Sequence, residues 1–465
     1  MNRFGLKVIA ILILLAFLLP PGIIKAQSET TDGPVYIIQE GDSLWEIASR
    51  FHISLQDLEN ANGIVDPSLI TIGQHLIIPG MEGIHGVLTT ENMQFGETLH
   101  SLSLRHDIPV SMLERLNHIT SPNELYAGYS LIIPQGKDNS PSLKRQFLNP
   151  GQSVLELAIA NNTNPWVILT ANQHVNSIQV LPEDAIRVPG EGDNGLGDLP
   201  PDITVINISG LTQGETAEFL ISGEAGLSIS GSLMEHTLNF FLEPGSGYAA
   251  LQGINAMVEP GLYPVDLTEV MTDGTKYEYS QNVLVSAGDY LYDIPLSVDP
   301  ATLDPETTVP ENQKWMGLAS NVTPEKMWQG TFSIPVDPVF AGCYTSRFGS
   351  RRSYNGSGYI YFHTGLDYCG QVGDPIYAAA AGVVVFTGML TVRGNATMID
   401  HGDGVFSAYM HQSEILVNVG DQVEQGQLIG RVGNTGRVEG PHLHFEVLVG
   451  GEQVNPIDWL NQIYP

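Results

Sequence analysis

A period of 55 residues runs through the first part of the chain. Gly41, Gly96 and Gly151 recur at that spacing, as do Asn62, Asn117 and Asn172, and Pro79, Pro134 and Pro189. A fixed period means that one small unit is present in three copies, over 35–80, 85–135 and 142–190. Each copy opens on an apolar strand and then turns through Gly41-Asp42-Ser43, Gly96-Glu97-Thr98 or Gly151-Gln152-Ser153, where the last residue suits a helix N-cap. In the first copy Leu44, Ile47 and Ala48 follow at helical spacing. A second helix ends near the repeated Asn, and a strand such as His75-Leu76-Ile77-Ile78-Pro79 closes the unit. The expected order is therefore strand, helix, helix, strand.

With YIIQEGDSLWEIASRFHISLQDLENAN and ITIGQHLIIPG, the first copy resembles a lysin-motif (LysM) domain. That resemblance implies binding to N-acetylglucosamine-containing glycans such as peptidoglycan. The second copy keeps the frame behind a less regular strand. The third is degenerate, with Val154 in place of the cap leucine and Glu183-Asp184 in place of Gly-Gln, so a purely structural role stays open for it.

At 465 residues the chain is too long for one core. Residues 1–26 read as a signal peptide: Arg3 and Lys7 precede an apolar run from Val8 to Leu19, and Pro20, Pro21 and Gly22 break it before Ala26. The run is short for a membrane span, so no stable membrane insertion is expected after cleavage. An uncleaved anchor is the alternative, because Ile24 is large for its place before the cut. The expected location is extracellular and cell-wall associated. A formal net charge of −32 disfavours nucleic acid as a partner. Any hold on a cell wall must come from shaped sites.

A Gly/Asp/Pro-rich linker over 191–201 leads into short alternating strands over 202–289, which suggest an immunoglobulin-like β-sandwich acting as a spacer. Within 290–334, Asp304-Pro305-Glu306 and Thr323-Pro324-Glu325 carry helix-start signals and suggest a helical connector. His236 stands apart from any cluster of catalytic residue types. Residues 335–465 return to glycine-punctuated strands, expected to form an antiparallel all-β domain with a groove across one sheet.

Chemistry gathers in that last segment. In the run GPHLHFEV from Gly440, His442 and His444 alternate on one strand, so both would point into one cavity. His363 and Asp367 lie four apart in His363-Thr364-Gly365-Leu366-Asp367. Three N/O ligands with a position left open is the pattern of a catalytic zinc. These runs, with Ser346-Arg347-Phe348-Gly349, Gly373-Asp374-Pro375-Ile376-Tyr377-Ala378, Tyr409-Met410-His411 and the glycine-rich stretch from Val419 to Gly436, resemble the lysostaphin-type zinc endopeptidases that cut peptidoglycan. The resemblance implies zinc held by His363, Asp367 and His444, with His411 and His442 as the two non-ligand catalytic histidines. On that basis His442 is read as the base and His411 as the stabiliser, although the two can exchange roles. His401, in Asp400-His401-Gly402-Asp403-Gly404, reads as a turn residue. The only cysteines, Cys343 and Cys369, are expected to form a disulfide in an exported protein, two free thiols being the alternative.

The resulting expectation is a secreted zinc endopeptidase that hydrolyses peptide bonds of peptidoglycan and is held to glycan strands by its repeats. A noncatalytic activator of other wall hydrolases is the alternative.

Overall fold

The computed structural model describes residues 33–81, 84, 86–135, 143–182, 184–191, 197–223, 226–243, 245 and 247–465. The expected signal peptide, Glu183 and residues 192–196 of the linker lie outside the described residues. Among the described residues no helix is long and apolar enough to cross a membrane. The chain divides into two compact units, one running through Thr89 together with Ile132–Gln135, the other containing Thr90–Leu131 and the remainder to Pro465.

The first repeat contains β1 (Val35–Ile37), α1 (Leu44–Arg50), α2 (Leu55–Asn62) and β2 (His75–Ile77). Ser43 caps α1 in a reciprocal capping box with Glu46, which accounts for the repeated Gly-x-Ser/Thr signal. The repeated Asn has a definite task. The Asn62 amide donates to the Leu58 and Ile77 carbonyls at 2.9 and 2.8 Å, and its Oδ1 accepts from the Ile77 N–H at 2.7 Å. It thereby ties the end of α2 to the closing strand.

The second repeat follows the same order, with β3 (Val87–Asn92), α3 (Leu99–His106), α4 (Val110–Leu116) and β4 (Ser130–Pro134). The third has β5 (Leu143–Phe147), α5 (Val154–Ala160), α6 (Pro165–Ala171) and β6 (Ala185–Pro189). There Asn172 bridges Ile168 to both backbone groups of Arg187, as Asn62 does in the first copy. The degenerate copy therefore keeps the frame despite its altered cap and closing strand.

Eight strands follow: β7 (Ile203–Ser209), β8 (Thr216–Gly223), β9 (Ile229–Leu233), β10 (His236–Leu238), β11 (Phe241–Glu243), β12 (Gly247–Gly253), β13 (Gly261–Val270) and β14 (Lys276–Val285). They form two four-stranded sheets, ordered β10-β9-β13-β14 and β11-β12-β8-β7, around a core that includes Phe219, Ile221, Leu233 and Val265. β14 also holds the second repeat: the Gln281 side chain accepts from the Gly96 N–H at 2.7 Å, and the Asn282 carbonyl accepts from Ala127. The Arg145 guanidinium of the third repeat donates to the Leu199 and Ile203 carbonyls at the entry to β7.

The connector forms a helix at only one of its two start signals. Asp304 caps α7 (Pro305–Ala319), with Pro305 in its first turn. At Thr323-Pro324-Glu325 the chain is not helical, because its polar groups are engaged elsewhere. The Thr323 hydroxyl donates to Asp400 at 2.6 Å, and the Thr323 carbonyl accepts from Asp403. These bonds hold the segment along a hairpin of the last domain.

That domain comprises β15 (Tyr344–Ser346), β16 (Arg351–Arg352), β17 (Tyr361–Phe362), β18 (Leu366–Cys369), β19 (Pro375–Tyr377), β20 (Gly382–Leu390), β21 (Gly394–Gly402), β22 (Val405–Gln412), β23 (Glu414–Ile415), β24 (Gln422–Val423), β25 (Leu428–Arg431), β26 (His442–Val449), β27 (Glu452–Val454) and α8 (Pro456–Asn461). Its main sheet runs β15-β18-β26-β22-β21-β20-β24, with β27 against β26. One face buries Leu443, Phe445 and Val447 in the principal core with Tyr409 and Trp459. On the other, Phe406, Ala408, Met410 and Leu448 pack with Trp315 of α7.

The sandwich docks on this domain through the Trp459 indole, which donates to Thr216 at 2.9 Å, and through His236, 3.4 Å from Glu452. His401 is not a turn residue: it lies within β21, next to its last residue and fully buried, with Nδ1 donating to the Ala381 carbonyl and Nε2 2.7 Å from the Ser407 hydroxyl. Burial lowers its pKa to about 4, so it is a neutral core residue. The tight turn falls at Asp403 and Gly404, both at positive φ.

Replacing Asn62 by Ala should cost the first repeat about 1–3 kcal/mol and speed hydrogen exchange at the Ile77 amide. The bond to Glu452 raises the pKa of His236 against the opposing effect of burial. Its stabilisation is thus complete below the ordinary histidine value of 6.5 and is lost as pH rises through the raised one. A His236→Gln variant should lack that fall in Tm on a pH series.

Candidate metal centre

The site is built on the pairing of β18 with β26. Their register sets Asp367 opposite His444 and Cys369 opposite His442, and alternation puts all four on the face away from Phe445 and Tyr368. His363 comes from the loop before β18. That loop approaches β26 so closely that a Cβ on Gly365 would meet the Phe445 carbonyl at 2.3 Å and His444 Nε2 at 2.8 Å. The glycine of the His-x-Gly-x-Asp run is therefore required by the approach of the backbone.

Three donor atoms converge there. Asp367 Oδ1 lies 3.0 Å from His363 Nε2 and 2.7 Å from His444 Nδ1, and the two nitrogens are 3.0 Å apart. All three residues are buried, and they form the only group of metal-ligand type among the described residues. Neighbouring acceptors decide the tautomers. His363 Nδ1 donates to the Arg347 carbonyl at 2.9 Å, which leaves a lone pair on Nε2. His444 Nε2 faces the Glu446 carboxylate at 3.2 Å, which makes it the donor and turns Nδ1 inward. Two aromatic nitrogens and one carboxylate oxygen with inward lone pairs form the donor set of a zinc site with a position left open. The residues therefore fit that metal.

The electrostatics agree. Burial would raise the Asp367 carboxyl, but His363 and His444 hold it well below the ordinary carboxylate range. Burial pulls His444 down, yet its bonds to Asp367 and Glu446 outweigh that and lift it to about 9. Burial lowers His363. The charged residues thus share a desolvated pocket in which a cation would replace a proton.

His411 and His442 stand beside this set, their rings 4.9 Å apart. His442 Nδ1 donates to the Gly440 carbonyl and His411 Nδ1 to the Thr435 carbonyl, leaving a lone pair on each Nε2. Strict alternation along β22 would send His411 into the core after Met410. Instead its φ of 63° turns the ring back towards His444, 5.9 Å away. Burial and the neighbouring histidines lower its pKa to about 3. Asp367, His411, His442 and His444 line a groove of about 680 Å³, with Asp293, Leu296, Arg352, Tyr354 and Arg437 among its other walls and His363 buried behind them.

The five residues expected from the sequence are therefore together. Four contributors were not anticipated: Glu446, Arg352, Glu311 and Trp315. Glu446 had a signal, since it lies two residues beyond His444 and so on the same strand face. Arg352, which approaches Asp367 Oδ2 at 3.6 Å, had none.

Residues 361–456 match the family model described as "Peptidase family M23", and residues 36–79 and 94–134 match "LysM domain". The chain carries an M23 peptidase domain and LysM repeats. Over 121 residues it is 43% identical to the peptidoglycan DD-endopeptidase ShyA of Vibrio cholerae serotype O1, covering 26% of this chain and 28% of that protein. Over 95 residues it is 46% identical to the DD-carboxypeptidase/endopeptidase Mpg of Neisseria meningitidis serogroup B, covering 20% and 22%. The chain thus covers less than a third of the length of either curated relative. The solved catalytic domain of lysostaphin from Staphylococcus simulans is 28% identical, with a TM-score of 0.22, over 32% of this chain and 97% of that one.

Cys343 and Cys369 form a disulfide across 26 residues, next to the strand pair that carries Asp367. Replacing both by Ser should lower stability by roughly 3 kcal/mol, as expected from closing a loop of this size. Denaturant unfolding of the oxidised protein against the double variant would measure it.

Proposed function

We propose that this protein is a secreted, zinc-dependent endopeptidase of peptidoglycan peptides, delivered to the cell wall by its LysM repeats. The observation that carries the reading is the convergence of His363 Nε2, Asp367 Oδ1 and His444 Nδ1 beside a groove that is also lined by the imidazoles of His411 and His442. The endopeptidase names of the relatives similar to this domain support the reaction class.

His363, Asp367 and His444 would hold zinc, which when bound supplies Lewis-acid polarisation of the scissile carbonyl and acidifies water. The protein's own groups handle the protons. His442, whose ring reaches the groove and whose Nδ1 is held by the Gly440 carbonyl, takes the proton of the attacking water on Nε2. That same proton must pass from His442 to the leaving amine, and His411, kept neutral by burial with its ring 4.9 Å from that of His442, suits a group that receives it and releases it at once. The groove walls orient the peptide while tethering by the repeats raises its local concentration.

The sandwich is read as a spacer. The order of its strands, β7-β8-β12-β11 in one sheet and β10-β9-β13-β14 in the other, supports the immunoglobulin-like reading.

The decisive assay is release of new amino termini from purified peptidoglycan by the zinc-loaded protein. His442→Ala should retain zinc yet lose about 10²–10⁴-fold in kcat, whereas His363→Ala should lose the metal as well. No release by the parent, or unchanged activity in His363→Ala, would overturn the reading.

A further inference from the structure

The matched peptidase segment begins at residue 361, yet three side chains from well upstream reach its site through single intermediaries. In α7 the Trp315 indole N–H donates to Glu446 Oε2 at 3.0 Å, in a fully buried contact. The other oxygen of Glu446 accepts from the Thr364 hydroxyl at 2.5 Å and faces His444 Nε2 at 3.2 Å. Without the indole, Glu446 Oε2 would be a buried acceptor lacking its hydrogen bond, and the carboxylate would lose the contact that fixes its plane.

One turn earlier, Glu311 accepts from the Val392 and Arg393 backbone N–H groups at 3.0 and 3.2 Å and from the Arg393 guanidinium at 3.0 Å. The Arg393 carbonyl in turn accepts from the His411 N–H at 3.0 Å, the residue held at positive φ. The third contact comes from the strand-like stretch before α7. Asp293 Oδ2 lies 3.2 Å from Arg352 Nε, and Arg352 Nη2 donates to Ser346 and approaches Asp367 Oδ2 at 3.6 Å. Backbone bonds from Asp293 to Arg351 and from Leu296 to Ser353 keep this stretch against the groove wall.

We infer that the connector between sandwich and peptidase completes the metal centre, with Trp315 as a positioning residue for His444 through Glu446, and Asp293 for Asp367 through Arg352. The inference rests on the zinc reading above but goes beyond it, because it assigns the geometry of the ligands to a segment outside the matched family domain. Trp315 touches neither metal nor substrate in this scheme, and Asp293, although it also forms part of the groove wall, is not a ligand; both orient residues that would hold the metal.

Zinc affinity of the full chain, measured by competition with a chromophoric chelator, separates this role from ordinary packing. Trp315→Phe keeps most of the ring volume and removes the donor. It should weaken zinc binding about 10–100-fold, the usual range for loss of an outer-shell partner. Trp328→Phe is the packing control: that indole is equally buried, and its N–H has no hydrogen-bond partner among the described residues. It should leave zinc affinity within about twofold, well short of a tenfold outer-shell loss. In a Glu446→Leu background, Trp315→Phe should produce no further loss, since the relay is already broken. The visible spectrum of the Co²⁺-substituted protein should change with Trp315→Phe and with Asp293→Asn.

Parent-like zinc affinity in Trp315→Phe, or a loss that persists in full in the Glu446→Leu background, would overturn the inference. Should Trp315→Phe fail to fold, Asp293→Asn decides: an unchanged Co²⁺ spectrum and zinc affinity would overturn it. A parent that binds zinc but releases no peptide from walls would count against the proposed function alone.

Discussion

The structure of the peptidase domain depends on one strand register. With Asp367 opposite His444 on β18 and β26, a carboxylate and an imidazole that would repel solvent-free burial separately are buried together. Alternation then decides everything nearby. Odd neighbours Leu443, Phe445 and Val447 enter the core, while His442, His444 and Glu446 share the opposite face. A slip of one residue would exchange the two sets, placing histidines in the apolar core and Phe445 in the groove. The large apolar cluster on one face is thus what holds the polar cluster in place on the other.

That second face is divided along its length. At one end it is open to the groove; at the other it is covered by α7, with Trp315 packed edge-on to Phe386 and beneath the Arg393 guanidinium. Glu446 sits at the boundary, buried, with partners on both sides. Burying a carboxylate there is costly unless its lone pairs are met, and the indole, the Thr364 hydroxyl and His444 meet them. The boundary between apolar cover and polar site is therefore drawn by hydrogen bonds to a single acid.

Much of this was legible in the sequence because periodicity is a local property. The 55-residue spacing revealed the repeat frame, and the structure explains its Asn as the link between second helix and closing strand. The spacing of the histidines likewise revealed a shared strand face. Surfaces were less legible. Ala127, which stands where the first repeat has the exposed Ile72, pairs with Val283 of the sandwich, so the same frame exposes this position in one copy and uses it as a joint in another. Thr323-Pro324-Glu325 carried the local signal of a helix start but lost to tertiary hydrogen bonds with Asp400 and Asp403. Long-range partners such as Trp315 to Glu446, 131 residues apart, leave no local pattern at all.

His411 shows why the last ångströms are the least readable. Nothing in Tyr409-Met410-His411 distinguishes a regular strand end from one turned through positive φ, and a non-glycine residue in that region is strained. The conformation persists because it is held from both ends. Its N–H is accepted by the Arg393 carbonyl, its Nδ1–H by the Thr435 carbonyl, and Arg393 is itself fixed by Glu311. Releasing any one of these would let β22 relax to ordinary alternation and carry the imidazole into the core. Strain at this position is therefore maintained by contacts from two distant loops and the connector helix, and the ring faces His442 only while all of them are made.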